Sequence, residues 1–431
     1  MIPSRLVFGL ALLVSPLAPA IVHAAPQGDD LRYNFAPTSH AYADAPLVTR
    51  DTLYTAERGY GFLPAASATT ASHFVVDLPE GNYDVTVQLG DATEAGDTTV
   101  KAETRRLMLE SVRTAPGEFV SRTFTVNVRT PAIAGTNRRV ALTDRERDAL
   151  HWDDKLILEF NGPRPAVAGL WIRRNDAALT VYLAGDSTVT DQPGEPWAAW
   201  GQMLPRFFPA GFAIANHAES GLSLASFRGS ARLDKILSTL RPGDYVLIQF
   251  GHNDQKETGE GVGAFTTYAD SLRAYADAIR AKGGEPVLIT SMYRRRFPNG
   301  VLQDTLGDFP EAVRRVAQER NVPLIDLHAM SARLFTALGP DRSKAAFVHF
   351  PAGAYGSEKA VRDDTHFSPY GAYELARCIV EGIRQNVPAL AARLAPGTPA
   401  YDPASPADPA AFSIPPSPPR GDVRIPDGDG R

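Results

Sequence analysis

The sequence predicts a mixed α/β protein in which an all-β sandwich precedes a parallel sheet covered by helices on both faces. Between residues 30 and 175, short runs of alternating apolar and polar residues are separated by clusters of Gly, Pro, Asn and Asp, a pattern typical of strands and tight turns. From Thr180 onward, apolar strand-like runs alternate with helical stretches, as in a chain of βαβ units. We therefore expect two units, residues 25–176 and residues 177–390.

The first 24 residues have the order of features found in an export signal. Arg5 gives a positive start, residues 6–14 form an apolar core, and residues 22–24 form a small-x-small cleavage site. The core is too short to span a bilayer as a stable anchor. We expect this segment to be removed and the protein to be periplasmic or extracellular.

Composition and charge limit the classes of partner. The chain has 431 residues, of which 44% are hydrophobic and 22% charged, so it can build two substantial cores. A net charge of −5 gives no electrostatic footprint for nucleic acid or an anionic membrane, and we expect neither as a partner. The single cysteine, Cys378, cannot form an internal disulfide and is predicted to be a small buried side chain. The oligomeric state stays open.

The N-terminal unit is predicted to be a β-sandwich because several short strands are separated by turns. The predicted strands are residues 72–78, 83–89, 119–128 and 155–160. Residues 81–91 resemble, loosely, the galactose-binding-like jelly rolls that accompany polysaccharide enzymes. Aromatic residues of this unit would stack on sugar rings if exposed but are more often core in strands, and both interpretations stay open for Tyr54, Tyr60, Phe62 and Trp152.

The second unit is predicted to be a parallel sheet with its ligand site beyond the carboxyl ends of the strands. Strand-like runs are residues 181–184, 212–215, 245–250, 286–290 and 322–327. Helical stretches are residues 198–208, 231–239, 268–282 and 309–320.

The first strand of this unit points to a nucleophile. Its apolar, β-branched run stops at Gly185-Asp186-Ser187, as a buried strand would if it delivered one hydroxyl to the rim of the sheet. A serine is a poor nucleophile without a base. Asp363 and His366 lie three residues apart, so that on one turn the carboxylate would reach Nδ1 and leave Nε2 for Ser187.

Two further segments supply candidate donors for an oxyanion. Residues 216–221 end at Gly221, and residues 251–254, which follow the third strand-like run, contain Asn253. The backbone N–H of Gly221, the side-chain amide of Asn253 and the N–H of Ser187 itself would make three donors for a tetrahedral intermediate.

These segments resemble, in order, the four sequence blocks of the SGNH (GDSL-type) hydrolases. The blocks are Gly185-Asp186-Ser187, Gly221, Gly251-His252-Asn253-Asp254 and Asp363-Asp364-Thr365-His366, and their surroundings are most similar to rhamnogalacturonan acetylesterases over residues 180–388. The resemblance implies a flavodoxin-like three-layer α/β/α domain and an acetyl-serine mechanism on an acetylated pectic polysaccharide or oligosaccharide. It also selects Asp363 over Asp364 as the residue that orients His366. Leu222 departs from the pattern, since the family often has Arg at this position.

Several other residues have competing interpretations. Asp186 is expected to bond to N–H groups of its own loop, and His252 is expected to make a local structural bond rather than to act as the base. The remaining candidate histidines, His217, His328 and His349, are expected to be structural or to lie at the rim. No His, Asp or Glu set has the spacing of a zinc site, so we expect no metal and no cofactor.

Three further segments bear on the substrate and on domain organisation. Residues 347–356 form a Gly/Pro/aromatic loop that either lines the cleft or is an ordinary surface loop. Residues 294–296, three arginines, either attract galacturonate carboxylates or form a solvated basic turn. Residues 391–431 are rich in Pro, Ala, Gly and Asp and are expected to be a disordered tail or one laid on the surface.

Other functions remain as alternatives to a pectic acetylesterase. The four blocks define the chemistry and not the alcohol, so a lipase, thioesterase or acetylxylan esterase is compatible with them. A non-catalytic carbohydrate-binding protein is the alternative from another class.

Overall fold

A computed structural model describes residues 30–36, 41–64, 70–147, 149 and 151–418. The predicted export signal lies outside these residues and stays a prediction. In the part of the chain that the structure describes, no helix combines the length and apolar character needed to cross a membrane.

The N-terminal region is β-rich and consists of two facing sheets. Its strands are β1 (Asp30–Asn34), β2 (Tyr60–Phe62), β3 (Ser72–Asp77), β4 (Gly81–Gly90), β5 (Gly96–Ala102), β6 (Arg106–Thr114), β7 (Phe119–Val128), β8 (Lys155–Arg164) and β9 (Val167–Arg174), with a short helix α1 (Asp144–Arg147). One sheet has the order β2-β3-β8-β5-β6, and the other begins β1-β9-β4-β7. The alternation predicted for β4 is observed, because Val85, Val87 and Leu89 all enter the core between the sheets.

The following region is α/β. Its parallel strands are β10 (Leu179–Gly185), β11 (Phe212–Asn216), β12 (Tyr245–Gln249), β13 (Glu285–Ile289) and β14 (Leu324–Ile325). Its helices are α2 (Trp200–Met203), α3 (Leu224–Gly229), α4 (Arg232–Thr239), α5 (Ala269–Ala281), α6 (Phe309–Arg320), α7 (Leu327–Arg342), α8 (Pro369–Asn386) and α9 (Pro388–Ala391), and a hairpin of β15 (Phe347–Phe350) and β16 (Val361–Phe367) precedes α8.

Helices cover both faces of the parallel sheet, as predicted. Residues of α2, α7 and α8 pack into the core on one face, and residues of α3, α4, α5 and α6 pack into the core on the other. Cys378 is buried in α8, on the first of these faces.

The last predicted strand is shorter than expected. The apolar run at residues 322–327 predicted one strand, but β14 ends at Ile325 and α7 begins at Leu327. Asp326 causes the change, because its side chain accepts a hydrogen bond from Ala329 N–H at 3.2 Å and so caps the start of the helix. The predicted helix over residues 198–208 is likewise only α2 followed by a 3-10 turn that contains Pro205.

The two regions share one nine-stranded sheet with the order β1-β9-β4-β7-β11-β10-β12-β13-β14. The junction is a parallel pairing of β7 with β11 in which Val126 pairs with Ile214. Thr125 Oγ1 reinforces this junction by accepting a hydrogen bond from Gly211 N–H at 2.7 Å. The β-rich region is therefore continuous with the sheet that carries the predicted site.

The C-terminal segment returns to the β-rich region along the surface, up to residue 418. Tyr401 is buried, and its hydroxyl donates to Glu374 of α8 at 2.7 Å. Further on, Lys101 Nζ donates to the carbonyl oxygen of Pro415 and to the hydroxyl of Ser417, both at 2.7 Å. Residues 391–418 therefore contact both the α/β region and the β-rich region, and the expectation for the whole of residues 391–431 stays a prediction.

Candidate active site

Ser187 follows β10 in a turn built by Gly185 and Asp186. A Cβ on Gly185 would lie 2.4 Å from Val189 Cγ2, so the turn requires glycine. Asp186 is fully buried, and its Oδ1 accepts hydrogen bonds from the N–H and the hydroxyl of Thr188 at 2.9 and 2.8 Å. Asp186 thus shapes the turn, as expected, and Ser187 lies at the carboxyl end of the sheet.

His366 lies in a bulge of the β15–β16 hairpin, and Asp363 lies directly before that bulge. Phe347 pairs with Phe367, whereas the next residue, Val348, pairs with Asp363. Residues 364–366 therefore loop out between two consecutive pairs. The two candidate residues lie in a bulged strand and not on the single turn predicted from their spacing.

The bulge brings His366 between Asp363 and Ser187. His366 Nε2 lies 2.9 Å from Ser187 Oγ, and His366 Nδ1 lies 2.7 Å from Asp363 Oδ2. An ionised carboxylate only accepts hydrogen bonds, so Nδ1 carries the ring proton and Nε2 is left to accept the serine proton. This is the arrangement that a base-activated serine requires.

The Asp363 carboxylate is held in its ionised form. Its Oδ1 accepts hydrogen bonds from the backbone N–H groups of Thr365 at 2.9 Å and His366 at 3.0 Å. Burial opposes ionisation, but the imidazole of His366 and these two N–H groups together lower the pKa of Asp363 to about 2. At neutral pH the carboxylate can therefore stabilise a positive charge that develops on His366.

The loops that carry Gly221 and Asn253 are bonded to each other. Asn253 Nδ2 donates to the carbonyl oxygen of Leu222 at 3.1 Å, which leaves its second amide hydrogen for another acceptor. Gly221 has a φ of +81°, a conformation that favours glycine. Within the described ranges, neither the N–H of Ser187 nor that of Gly221 donates to a protein acceptor. Both could serve a developing oxyanion.

Comparison with known proteins identifies the family. The GDSL-like lipase/acylhydrolase family matches residues 183–373. The rhamnogalacturonan acetylesterase RhgT from Bacillus subtilis (strain 168) is 44% identical over 211 residues, which cover 48% of this chain and 90% of RhgT. The chain belongs to the GDSL-like lipase/acylhydrolase family.

Two further similarities have lower sequence identity. The rhamnogalacturonan acetylesterase of Emericella nidulans is 29% identical over 218 residues, which cover 44% of this chain and 85% of that protein. Among solved structures, the crystal structure of protein YxiM from B. subtilis aligns with a TM-score of 0.45 at 25% identity and covers 83% of this chain and 98% of that chain. As a member of the family, this acylhydrolase is a carboxylic ester hydrolase.

The competing residues near the site of the acylhydrolase make structural contacts. His252 is buried, with Nε2 3.0 Å from the carbonyl oxygen of Met292. Asp364 Oδ1 lies 2.7 Å from His349 Nε2 and accepts from Arg295 Nη1 at 2.9 Å, so it bonds to a different histidine from Asp363. His217 is also buried.

The three arginines at residues 294–296 are bonded within the protein. Arg294 donates to Thr305 Oγ1 at 3.1 Å, and Arg296 donates to Gln303 Oε1 at 2.7 Å. Arg295 is paired with Asp364, as described above. These contacts argue against the hypothesis that the arginine cluster attracts substrate carboxylates.

The aromatic candidates of the β-rich region are mostly in its core. Tyr54, Phe62 and Trp152 are all buried, and Trp152 Nε1 donates to Glu146 at 3.0 Å. Tyr60 is half-buried and packs on Tyr33. This placement favours the core interpretation over sugar stacking for these residues.

Among the described residues, no group of three or more His, Cys, Asp or Glu side chains is arranged to hold a metal ion. The expectation that the reaction needs no cofactor stays a prediction.

Sequence reasoning missed Gln192, whose side chain binds the backbone of the loop that carries Ser187. Gln192 is 5% exposed, and its Nε2 donates to the carbonyl oxygen of Ser187 at 2.8 Å. No motif marks this residue, because a glutamine five positions after the serine has no distinctive pattern. Its role is evident only from the contacts that it makes.

Proposed function

We propose that this acylhydrolase is an exported esterase that removes O-acetyl groups from a pectic polysaccharide through an acetyl-serine intermediate. The observation that carries the chemistry is the continuous contact from Asp363 through His366 to Ser187, with distances of 2.7 and 2.9 Å. In this proposal Ser187, Asp363 and His366 are the catalytic residues. The N–H groups of Ser187 and Gly221 and the amide of Asn253 bind the oxyanion.

The reaction has two halves that use the same histidine. His366 Nε2 takes the proton of Ser187 Oγ while the oxygen attacks the acetyl carbonyl carbon, and the negative charge that develops on the carbonyl oxygen is bound by the three donors. When the tetrahedral intermediate collapses, the sugar oxygen leaves and receives the proton from Nε2. Water then gives a proton to Nε2, attacks the acetyl-serine and releases acetate, and Ser187 regains its proton.

A carbohydrate substrate is supported by an aromatic edge beside the site, formed by Trp197, Phe350 and Tyr355. Trp197 precedes Ala198, which bridges to Phe367 next to His366. The Trp197 and Phe350 ring centroids are 6.0 Å apart, and those of Phe350 and Tyr355 are 5.3 Å apart. Tyr355 is 59% exposed. Such rings can stack on the apolar faces of sugars, and the similarity to rhamnogalacturonan acetylesterases narrows the proposal to a pectic polymer.

A long-chain lipase is less well supported. The exposed large hydrophobic side chains of the described residues are Leu47, Leu53, Phe119, Phe265, Val301 and Tyr355. Only Tyr355 belongs to the hairpin that carries His366, so these side chains give little support for an apolar groove that would hold a long acyl chain at the site.

Release of the carboxylic acid from three substrates tests the proposal: acetate is measured for the two acetylated polysaccharides, and the long-chain acid is measured for the third substrate. Acetylated rhamnogalacturonan, acetylated xylan and a long-chain acyl ester are each tested with wild type, Ser187→Ala and, as a matched control, Ser271→Ala, which changes a half-buried serine of α5. We expect release from the pectic polymer that is lost only in Ser187→Ala. Activity only on xylan or on the long-chain ester would overturn the substrate, and activity that survives in Ser187→Ala would overturn the mechanism.

A further inference from the structure

Arg145, in the short helix α1 of the β-rich region, reaches two loops of the proposed active site. Its Nη1 donates to Gln192 Oε1 at 3.3 Å, and its Nη2 forms an ion pair with Glu219 Oε1. Gln192 and Glu219 are 27 positions apart in the sequence and belong to different loops. One guanidinium therefore bonds to both loops through separate nitrogens, a geometry suited to arginine.

The first loop is the one that carries Ser187. Both ends of the Gln192 amide are bonded, because its Oε1 accepts from Arg145 while its Nε2 donates to the carbonyl oxygen of Ser187 at 2.8 Å. Arg145 thus fixes the orientation of the amide that holds the backbone of the nucleophile.

The second loop is the one that carries Gly221. Glu219 lies two residues before Gly221, and its backbone N–H donates to the carbonyl oxygen of Gly185 at 3.2 Å. The Glu219 side chain is 3% exposed, whereas the Arg145 side chain is 32% exposed. The partly exposed Arg145 therefore supplies the positive charge that pairs with a buried carboxylate beside the proposed oxyanion site.

We propose that Arg145 is a positioning residue. It holds the N–H of Ser187 and the N–H of Gly221 in the relative positions that the proposed oxyanion site requires. The inference rests on the proposed function, because it concerns the geometry of the same oxyanion site. It also gives the β-rich region a part in catalysis that does not require this region to bind sugar.

The electrostatics of Glu219 explain why the bridge matters. Burial and the neighbouring charge of Glu146 raise the pKa of Glu219 to about 7, and the charges of Arg145 and Arg232 act in the opposite direction. Without Arg145, the pKa of Glu219 would rise further, because burial and Glu146 would be opposed by Arg232 without the cation that is bonded to the carboxylate. The contact that Arg145 makes beside the loop carrying Gly221 would also be lost.

The experiment compares Arg145→Ala and Arg145→Lys with Arg147→Ala. Arg147 lies in the same helix but pairs with the exposed Asp144 and with a carbonyl oxygen of its own segment, so it is a matched control. The assay measures kcat and KM for 4-nitrophenyl acetate and for the acetylated pectic polymer.

We expect Arg145→Ala to lower kcat about 10- to 100-fold, somewhat less than the roughly 100- to 1,000-fold effect of losing one oxyanion donor outright. KM should stay within about twofold, and the reduction in kcat should be similar for both substrates, because the aligned groups act on the acetyl group and not on the sugar. Arg145→Lys should recover part of kcat, since one ammonium can pair with Glu219 but cannot reproduce the fork. Arg147→Ala should match wild type.

Two outcomes would overturn the inference. One is an unchanged kcat in a folded Arg145→Ala protein, and the other is a loss that appears only in KM for the polymer. If Arg145→Ala lowers the melting temperature too far to assay, Gln192→Leu provides the second test, because it removes the link to Ser187 and keeps the Arg145–Glu219 pair. Gln192→Leu should also lower kcat, and an unchanged value would refute the bridge.

If the proposed function is wrong, the wild-type protein will show it, whereas an error in the Arg145 inference appears only in the variants. Wild type that cleaves 4-nitrophenyl acetate in a Ser187-dependent manner but releases nothing from the pectic polymer would overturn the substrate and leave the Arg145 comparison intact. Wild type without Ser187-dependent turnover of any ester would overturn the mechanism and, with it, the role of Arg145.

Discussion

Asp363→Asn should damage the enzyme more than Asp363→Ala, although asparagine is the closer match in shape. In the structure, Asp363 Oδ1 accepts two backbone hydrogen bonds, from Thr365 and His366, while Oδ2 faces His366 Nδ1 at 2.7 Å. An asparagine has one oxygen, and the two N–H donors favour placing it at the Oδ1 position. Its NH₂ group would then face Nδ1 and donate to it.

The magnitude follows from the tautomer that each variant imposes. With an NH₂ group facing Nδ1, the ring proton moves to Nε2, which can no longer accept the proton of Ser187. The same change in a serine protease lowers kcat by about 10⁴-fold. In Asp363→Ala, His366 loses one charge-assisted hydrogen bond, about 1.5–3 kcal/mol, but keeps a choice of tautomer. That corresponds to about 10- to 150-fold in kcat/KM.

The assay is kcat/KM for 4-nitrophenyl acetate at neutral pH, with melting temperatures to verify folding. Asp364→Asn is the matched control, since Asp364 contacts His349 and Arg295 rather than His366, and it should stay within a few-fold of wild type. The reasoning is refuted if Asp363→Asn retains more activity than Asp363→Ala.

Three further predictions follow from the site and its surroundings. Asn253→Ala should lower kcat about 100- to 1,000-fold by removing one oxyanion donor, and unchanged turnover would rule out this donor. Tyr355→Ala should raise KM for the acetylated polymer several-fold and leave kcat/KM for 4-nitrophenyl acetate unchanged. The control Phe119→Ala, at an exposed aromatic in β7, should change neither quantity. Equal KM values for Tyr355→Ala and wild type would exclude stacking of Tyr355 on the polymer. Burial raises the pKa of Asp254 to about 7, so the folded protein holds this proton to a higher pH than the unfolded chain and should lose stability as pH rises from about 4 to 7. Melting temperatures of wild type and Asp254→Asn should therefore diverge over this range, and parallel curves would contradict the assignment.

The parts of the site that could be predicted from the sequence are those whose residues lie close together along the chain. Gly185-Asp186-Ser187 directly follows its own strand, so a local pattern reveals both the strand and the residue that it delivers. Asp363 and His366 are also close in sequence, and their contact depends on only a few backbone angles. For these residues a local pattern is enough, because the partner or the supporting strand lies within a few positions.

The contacts that sequence reasoning missed join distant segments. The bulge at residues 364–366 arises because Phe347 pairs with Phe367 while Val348 pairs with Asp363, and neither strand alone indicates the mismatch. Arg145 lies 47 residues from Gln192 and 74 from Glu219. Its charge carries no information about the direction in which it points. The same limitation left both interpretations open for residues 294–296.

The β-rich region also contributes a buried ion pair to the loop that carries Ser187, although this region lies outside the part of the chain matched by the family. Arg106 lies outside residues 183–373, the part matched by the family, yet its Nε donates to Asp191 Oδ2 at 2.7 Å, and both side chains are 1% exposed. Asp191 Oδ1 in turn accepts from Asn216 at 2.8 Å, at the end of β11. Removing one partner of such a buried pair typically costs about 3–5 kcal/mol, so Asp191 needs Arg106 to remain buried and charged. Together with the Arg145 bridge, this pair means that the loop carrying Ser187 is bonded to both regions, and that its geometry depends on Arg106 and Arg145, which lie outside the part matched by the family.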